Sequence, residues 1–550
     1  MNMILRTAPC YLFILFFGIL TSFSQSNPKW DNTAKSNWSA PFEHVGIPST
    51  KDGAIQNAIF YKSKSLERKP LIVSLHTWSG DYTQKDPLAK EILARDWNYI
   101  HPDFRGTNNQ PEAMGSGLVI SDIADAVQYA LRHTDSDPEE VHIIGVSGGG
   151  YATLLAYMTL DYPVKSFSAW APISDIEAWY WESLGRKQKY AQDILQAVSK
   201  ESSFDQAEAL RRSPISLDYP IEKRKNSKLY LYEGVHDGYE GSVPITHAIN
   251  MYNRLVGELK YGFSDANKIL SKAVSDPDLV AESKIISLIT KRLNPKRTKK
   301  QSLYGRDIHL FREFQNIQLT LFEGGHEQLP QALSLIPNER TSTLKPTILT
   351  IGDSNGAHEE GWVNQLKTIL PNSKIVNNSQ SGRTIGFDNN SAKDLNALRN
   401  IKKYLQEAKK ETGGGDFDYI ILCLGTNDTK KVFANRQDEV VSNFAKLLEH
   451  ITKFISTGSG KTQLICVTPP PMKTEGILEK YEGGNERLGN LIPQFQSIAK
   501  TKRIRILDIY HPLLGVLDYY APDGIHMEAA GQKIIATNIA DLLYEDTAKQ

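Results

Sequence analysis

The 550-residue chain is too long for a single hydrophobic core: at about 100–200 residues per domain, roughly two to four domains fit. Its 63 basic and 63 acidic side chains cancel, which argues against nucleic acid or an anionic membrane surface as main partner. An apolar content of 40% and a charged content of 23% are those of a globular protein.

The first elements in chain order are an address. Arg6 precedes an apolar run from Tyr11 to Leu20, and Thr21, Ser22 and Ser24 follow it. This pattern predicts a signal peptide over 1–24 and export to the periplasm or beyond the cell. A run of about ten apolar residues is short for a bilayer, so no membrane span is expected after its removal; a retained anchor is the other reading. Cleavage leaves Cys423 and Cys466, both inside apolar runs. They read as small buried hydrophobes, with no disulfide framework, no zinc spacing and no cofactor expected.

From about Lys69, strand-like and helix-like segments alternate. PLIVSLH reads as a buried strand, and Ile120, Ile123, Val127 and Leu131 mark one apolar helix face. VHIIGVS, KSFSAWAP and KLYLYEG continue the strand series, with YATLLAYMTL as a helix between them. Such alternation predicts a parallel sheet covered on both faces. Residues 249–311 read as a charged, mostly helical insertion or lid without a strong strand, before QLTLFEGGH resumes the pattern. Within it, KRLNPKRTKK at 291–300 reads as a solvated loop or as a contact for an acidic polymer.

The polar run around Pro337 predicts a linker over 335–344. A second α/β series then runs through PTILTIGDS, KIVNNS, DYIILCLGTND, QLICVTPPP and IRILDIY to a closing helix over 531–544. No internal repeat relates the halves, so the expected domains are 27–334 and 345–546, unrelated in origin.

Each half carries a serine motif. In Gly145-Val146-Ser147-Gly148-Gly149, a strand precedes the serine and a helix follows. The small flanking residues let backbone pass closely at a sharp turn that exposes the hydroxyl. Asp237 and His326 follow in order, each just after a strand-like run. In this arrangement His326 takes the proton of Ser147, and Asp237 holds the imidazole's tautomer. The oxyanion is expected between the N–H of Gly148 and one from Thr77 or Trp78, in the loop after LIVSLH. His236 reads as a loop residue.

GVSGGGYATLLAY and HDGYEGSVP resemble the α/β-hydrolase superfamily, in its branch related to prolyl oligopeptidases and acyl esterases. No propeller domain precedes the region, a departure that favours esterase over peptidase. Trp170, Trp179, Tyr180 and Trp181 either line a sugar- or aryl-binding pocket or pack beneath the insertion.

In the second half, Gly352-Asp353-Ser354, Gly382 in NNSQSGRTIG, Asn427 in LGTND, and the pair Asp523 and His526 resemble the four blocks of SGNH (GDSL-type) hydrolases. The resemblance implies a flavodoxin-like three-layer α/β/α sandwich. It also implies Ser354 as nucleophile, His526 as base and Asp523 as its orienter. The oxyanion donors would be the Ser354 and Gly382 N–H groups and the Asn427 amide. Asn355 stands where the family often has leucine. Asp353 and Asp428 are expected to bond backbone around their turns.

The fold class expected is therefore α/β in two domains, an α/β-hydrolase sheet with a helical insertion followed by an SGNH sandwich. An exported chain with two acyl-transfer sites suits an esterified polysaccharide as partner, with O-acetyl, feruloyl or methyl ester groups as the bonds cleaved. A peptidase in the first domain, a lipid or general carboxylesterase, and a non-catalytic binding module in one domain stand as rivals.

Overall fold

The computed structural model describes residues 33–200, 203–290, 302–337, 342–458 and 460–548. The expected signal segment at 1–24 and the basic run at 291–300 lie outside the described residues, as does 338–341 of the expected linker.

The first ten-stranded sheet is built from β1 (Glu43–Pro48), β2 (Ile55–Tyr61), β3 (Lys69–Leu75), β4 (Asn98–Pro102), β5 (Ser136–Val146) and β6 (Ser166–Trp170). A separate two-stranded hairpin follows, β7 (Ser199–Lys200) with β8 (Ser203–Phe204). The sheet is completed by β9 (Lys228–Gly234), β10 (Ser302–Leu303), β11 (Arg306–Phe314) and β12 (Ile317–Phe322), in the order β1-β2-β4-β3-β5-β6-β9-β12-β11-β10. The centre, from β4 through β3, β5, β6 and β9 to β12, is parallel. Every residue of β3 and β6 is buried, because helices cover both faces.

Both margins are antiparallel, which the sequence reading missed. At one edge β1 pairs β2 and β2 pairs β4; at the other β11 runs back along β12, with Phe314 opposite Ile317. β11 begins inside the segment expected to lack a strand and runs past its end. Its sequence, RDIHLFREF, intersperses charge with apolar residues and buries only Leu310, as suits a strand that only the two-residue β10 covers on its outer side. The preceding helix Thr246–Tyr261 is no lid either: Ile249, Met251, Tyr252, Leu255 and Val256 join the core that contains Leu229, Leu231, Leu319 and Leu321. The insertion proper begins after it and includes the helices Ala266–Ala273 and Glu282–Thr290.

The second sheet comprises β13 (Thr347–Gly352), β14 (Lys374–Asn377), β15 (Tyr419–Cys423), β16 (Gln463–Val467) and β17 (Arg505–Leu507), all parallel, in the order β14-β13-β15-β16-β17. This doubly wound order reverses direction beside β13, where the crevice outside the carboxyl strand ends is the default ligand position. One face packs on helix Trp362–Ile369 and the closing helix Ala529–Ala548 through Trp362, Val363, Ile535 and Ile539. The other packs on helices Ala397–Glu411, Gln437–Ser456 and Gly484–Thr501 through Ile401, Leu447 and Phe495. Cys423 and Cys466 are buried free thiols in these cores.

The domains meet through helix Leu88–Arg95. Ala94 enters the second domain's core, and its carbonyl accepts Nδ2 of Asn538 at 3.1 Å. Arg95 donates to Oη of Tyr520 at 3.1 Å and Oγ of Ser334 at 2.6 Å. Lys69, 1% exposed, is ion-paired with Asp541 of the closing helix. Among the described residues no helix is long and apolar enough to cross a membrane.

Candidate active sites

The first site sits at the carboxyl ends of β3, β5, β9 and β12. Ser147 follows β5 with φ 59° and ψ −120°, a conformation in which a side chain is strained. The surrounding glycines are required by close approach. A Cβ on Gly145 would lie 2.4 Å from the backbone of Gly149, and one on Gly149 would lie 2.2 Å from the Leu75 carbonyl. A Cβ on Gly148 would sit 2.2 Å from the backbone nitrogen of Trp78. The serine turn is thus pressed onto the loop after β3, which brings Gly148 beside Trp78.

This packing narrows the expected oxyanion donors. The Thr77 N–H donates to Oε1 of Gln84 at 3.0 Å, and the Thr77 hydroxyl donates to the same oxygen at 3.1 Å. Thr77 is therefore engaged elsewhere, and Gly148 and Trp78 are the pair that faces one another. Gln84 carries no motif by which sequence reading could have found it.

Asp237, 2% exposed, follows β9 and accepts N–H groups of Gly238 and Val243 on Oδ1 at 2.8 and 3.1 Å. Its Oδ2 lies 2.6 Å from Nδ1 of His326, which follows β12. Nε2 of His326 is 3.4 Å from Oγ of Ser242. Arg186 clamps this loop by donating to the carbonyls of Gly238, Gly241 and Ser242. Ser242 and Arg186 also escaped the sequence reading. Behind Asp237, burial and the neighbouring carboxylate push the Glu233 carboxyl well above the usual range. His236 turns away to Oε1 of Glu323 at 2.6 Å, the other Glu323 oxygen meeting His309 at 2.8 Å.

The four aromatics divide. Trp170 and Trp179 are wholly buried and Tyr180 nearly so, whereas Trp181 is 55% exposed. Trp181 lines a cavity of about 380 Å³ with Tyr239, Arg186, Pro244 and the back of the Asp237 loop. Trp170 and Trp179 are core.

At the second site, Asp353 accepts the N–H of Asn355 at 3.0 Å and so shapes the turn that carries Ser354. Ser354 Oγ is 2.8 Å from Nε2 of His526, and His526 Nδ1 is 2.6 Å from Oδ2 of Asp523. Asp523 Oδ1 accepts the N–H groups of Ile525 and His526 at 2.8 and 2.7 Å, so one turn presents acid and imidazole together. Partial burial opposes ionisation of Asp523, yet these hydrogen bonds from His526 and Ile525 hold its carboxyl below the ordinary value.

Gly382 has φ 82°, a left-handed conformation suited to glycine, and its carbonyl accepts Nδ2 of Asn389 at 2.6 Å. Asn427 is 2% exposed and donates from Nδ2 to the Arg383 carbonyl at 3.1 Å. Asp428 places both oxygens 2.9 Å from the Ile385 nitrogen, tying its turn to the Gly382 loop; burial pushes its carboxyl up to about 7. Asn355 accepts Nε2 of Gln532 at 2.8 Å, which anchors the closing helix to the serine turn. A leucine there could not make that bond. Among the described residues no group of three His, Cys, Asp or Glu side chains is placed to hold a metal ion.

Residues 89–268 match the prolyl oligopeptidase family, and residues 349–534 match the GDSL-like lipase/acylhydrolase family. The first span includes Ser147 and Asp237; the second includes all five positions singled out in its domain, from Ser354 to His526. No curated protein matches the chain in sequence. Among solved structures, a carbohydrate acetylesterase from Sinorhizobium meliloti is 21% identical, with 36% of this chain and 99% of that one covered and a TM-score of 0.32. A putative arylesterase from Agrobacterium tumefaciens is 23% identical, covering 37% and 99%, with a TM-score of 0.31. The acylaminoacyl peptidase of Pyrococcus horikoshii is 19% identical, with a TM-score of 0.32; 38% of this chain aligns with 34% of that one. The chain thus joins a prolyl-oligopeptidase-type α/β-hydrolase region to a GDSL-type region, and it is a serine hydrolase of ester bonds.

Proposed function

We propose that this chain is an exported, bifunctional serine esterase that strips ester substituents from a plant or algal polysaccharide. The second domain would remove O-acetyl groups, and the first a further acetyl, a feruloyl group or a methyl ester. The observation that carries the reading is the hydrogen-bonded relay from Ser354 through His526 to Asp523 at 2.8 and 2.6 Å. His526 takes the Ser354 proton as Oγ attacks the ester carbonyl, and gives it to the sugar oxygen as the ester C–O bond breaks, so that the sugar leaves as its hydroxyl. Water then attacks the acyl-enzyme by the same route. The charge on the carbonyl oxygen is met by the N–H groups of Ser354 and Gly382 and by the Asn427 amide, donors each worth about 10²–10³ in turnover.

In the first domain, Ser147, His326 and Asp237 take the corresponding roles, with Gly148 and Trp78 as oxyanion donors. Trp181 and Tyr239, both 55% exposed beside that site, present ring faces suited to a sugar or aryl group. Two sites in one chain share the local concentration of one polymer. The prolyl oligopeptidase match of residues 89–268 favours a second reading, in which the first domain cleaves peptides.

Acetate release from a panel of acetylated polysaccharides tests the proposal, with wild type, Ser147→Ala, Ser354→Ala and the double variant. Loss of a separable part of the activity in each single variant is expected. Full activity in Ser354→Ala would overturn the reading of the second site, and Ser147-dependent peptide cleavage would replace that of the first.

A further inference from the structure

We propose that Tyr481 is a positioning residue of the second site, holding the Asn427 carboxamide so that its nitrogen, not its oxygen, is offered to the oxyanion. This rests on the reading of Asn427 as an oxyanion donor. A carboxamide is nearly symmetric in shape, yet its two ends have opposite effects: N–H stabilises an oxyanion, whereas C=O repels it. Two contacts break the symmetry. The Arg383 carbonyl can only accept, and it takes a hydrogen bond from Nδ2 of Asn427 at 3.1 Å. The Tyr481 hydroxyl donates to Oδ1 of Asn427 at 2.8 Å. Burial raises the Tyr481 phenol above its ordinary value, so it remains a donor across the working range of an esterase.

Tyr481 is itself fixed. It ends the short turn Glu479–Tyr481, is 6% exposed, and lies beneath the Lys430 ammonium, 5.4 Å from the ring centroid. Lys430 also donates to Oδ1 of Asn389 at 3.0 Å, and Asn389 donates to the Gly382 carbonyl. One lysine–tyrosine pair therefore braces both oxyanion loops from behind, Gly382 through Asn389 and Asn427 through Tyr481. Without the hydroxyl, Oδ1 of Asn427 is left buried and unpaired, and the amide keeps one anchor of two.

The test is kinetics on p-nitrophenyl acetate in a Ser147→Ala background, which isolates the second site. Tyr481→Phe, which removes one oxygen and keeps the ring, should lower kcat roughly tenfold with little change in KM. It should also weaken binding of a boronic acid transition-state analogue by a similar factor. In an Asn427→Ala background the same change should cost nothing further, because the group it positions is gone. The unpaired Oδ1 should lower the second domain's urea midpoint, and a transition that still begins well above the assay conditions shows that the kinetic loss is not one of folding. Wild-type kcat in Tyr481→Phe, or a loss that is undiminished in Asn427→Ala, would overturn the inference while leaving Asn427 as donor. Unchanged kcat in Asn427→Ala alone would overturn both.

Discussion

The strained turn at Ser147 makes a stability prediction that separates catalytic need from folding need. With φ 59° and ψ −120°, Ser147 occupies a region where a Cβ is crowded, at a cost of order 1–3 kcal/mol. Ser147→Ala removes the hydroxyl and keeps the Cβ, so the strain remains. Ser147→Gly removes both. Glycine loses more backbone freedom on folding, about 0.5–1 kcal/mol relative to alanine. The Ser147 side chain makes no capping hydrogen bond to the helix that follows, so neither variant loses a cap. Strain relief exceeds the entropy cost, and Ser147→Gly should be more stable than Ser147→Ala by about 1 kcal/mol, while both are inactive at this site. Urea unfolding followed by tryptophan fluorescence reports on the right domain, since seven of the eight tryptophans precede residue 340. The expected midpoint difference is roughly 0.3–0.5 M. An equal or lower midpoint for Ser147→Gly would show that the turn stores no strain.

Gly241→Ala should lower first-site kcat at least ~100-fold and spare the second site, because its Cβ would meet Oδ1 of Asp237 at 2.2 Å and Cβ of His326 at 2.4 Å. Single-site kinetics in a Ser354→Ala background check this. Asp428 titrates at about 7 when folded against an ordinary 3.8, so between those values the folded state holds the extra proton. Stability of the second domain is then lost as pH rises from about 4 to 7, by ~4 kcal/mol at about 1.36 kcal/mol per decade. Asp428→Asn should flatten that slope in urea midpoints taken from pH 4 to 8; parallel profiles for the two proteins would refute it. At the domain interface, Asp541→Asn strands the buried Lys69 ammonium and should destabilise by about 3–5 kcal/mol. A Lys69→Met/Asp541→Leu pair should recover most of that loss in calorimetry.

Much of this protein is legible in its sequence because its main signals are local. A buried parallel strand reads as a near-continuous apolar run, and PLIVSLH, VHIIGV, TILTI and YIILC are such runs, broken only by single Ser, Thr or His residues. A serine turn packed so closely that a neighbouring Cβ would meet backbone at 2.2 Å needs glycine there, which is why Gly148 and Gly149 mark Ser147. Asp523 and His526 lie close enough in sequence for one turn to present both.

What tertiary structure decided is what depends on distant partners. β1 and β11 bury a single residue each, so their charge-bearing sequences carry weak strand signals, and β2 is continuously apolar only over its second half. That the Thr77 N–H is bonded depends on Gln84, and which tryptophan meets solvent turns on how deep the helix Ile176–Gly185 packs. The Tyr481 hydroxyl reaches Asn427 across 54 residues, and Lys69 reaches Asp541 across 472. Such contacts follow from side-chain direction after the sheets have twisted and the layers have closed, and no spacing along the chain encodes them.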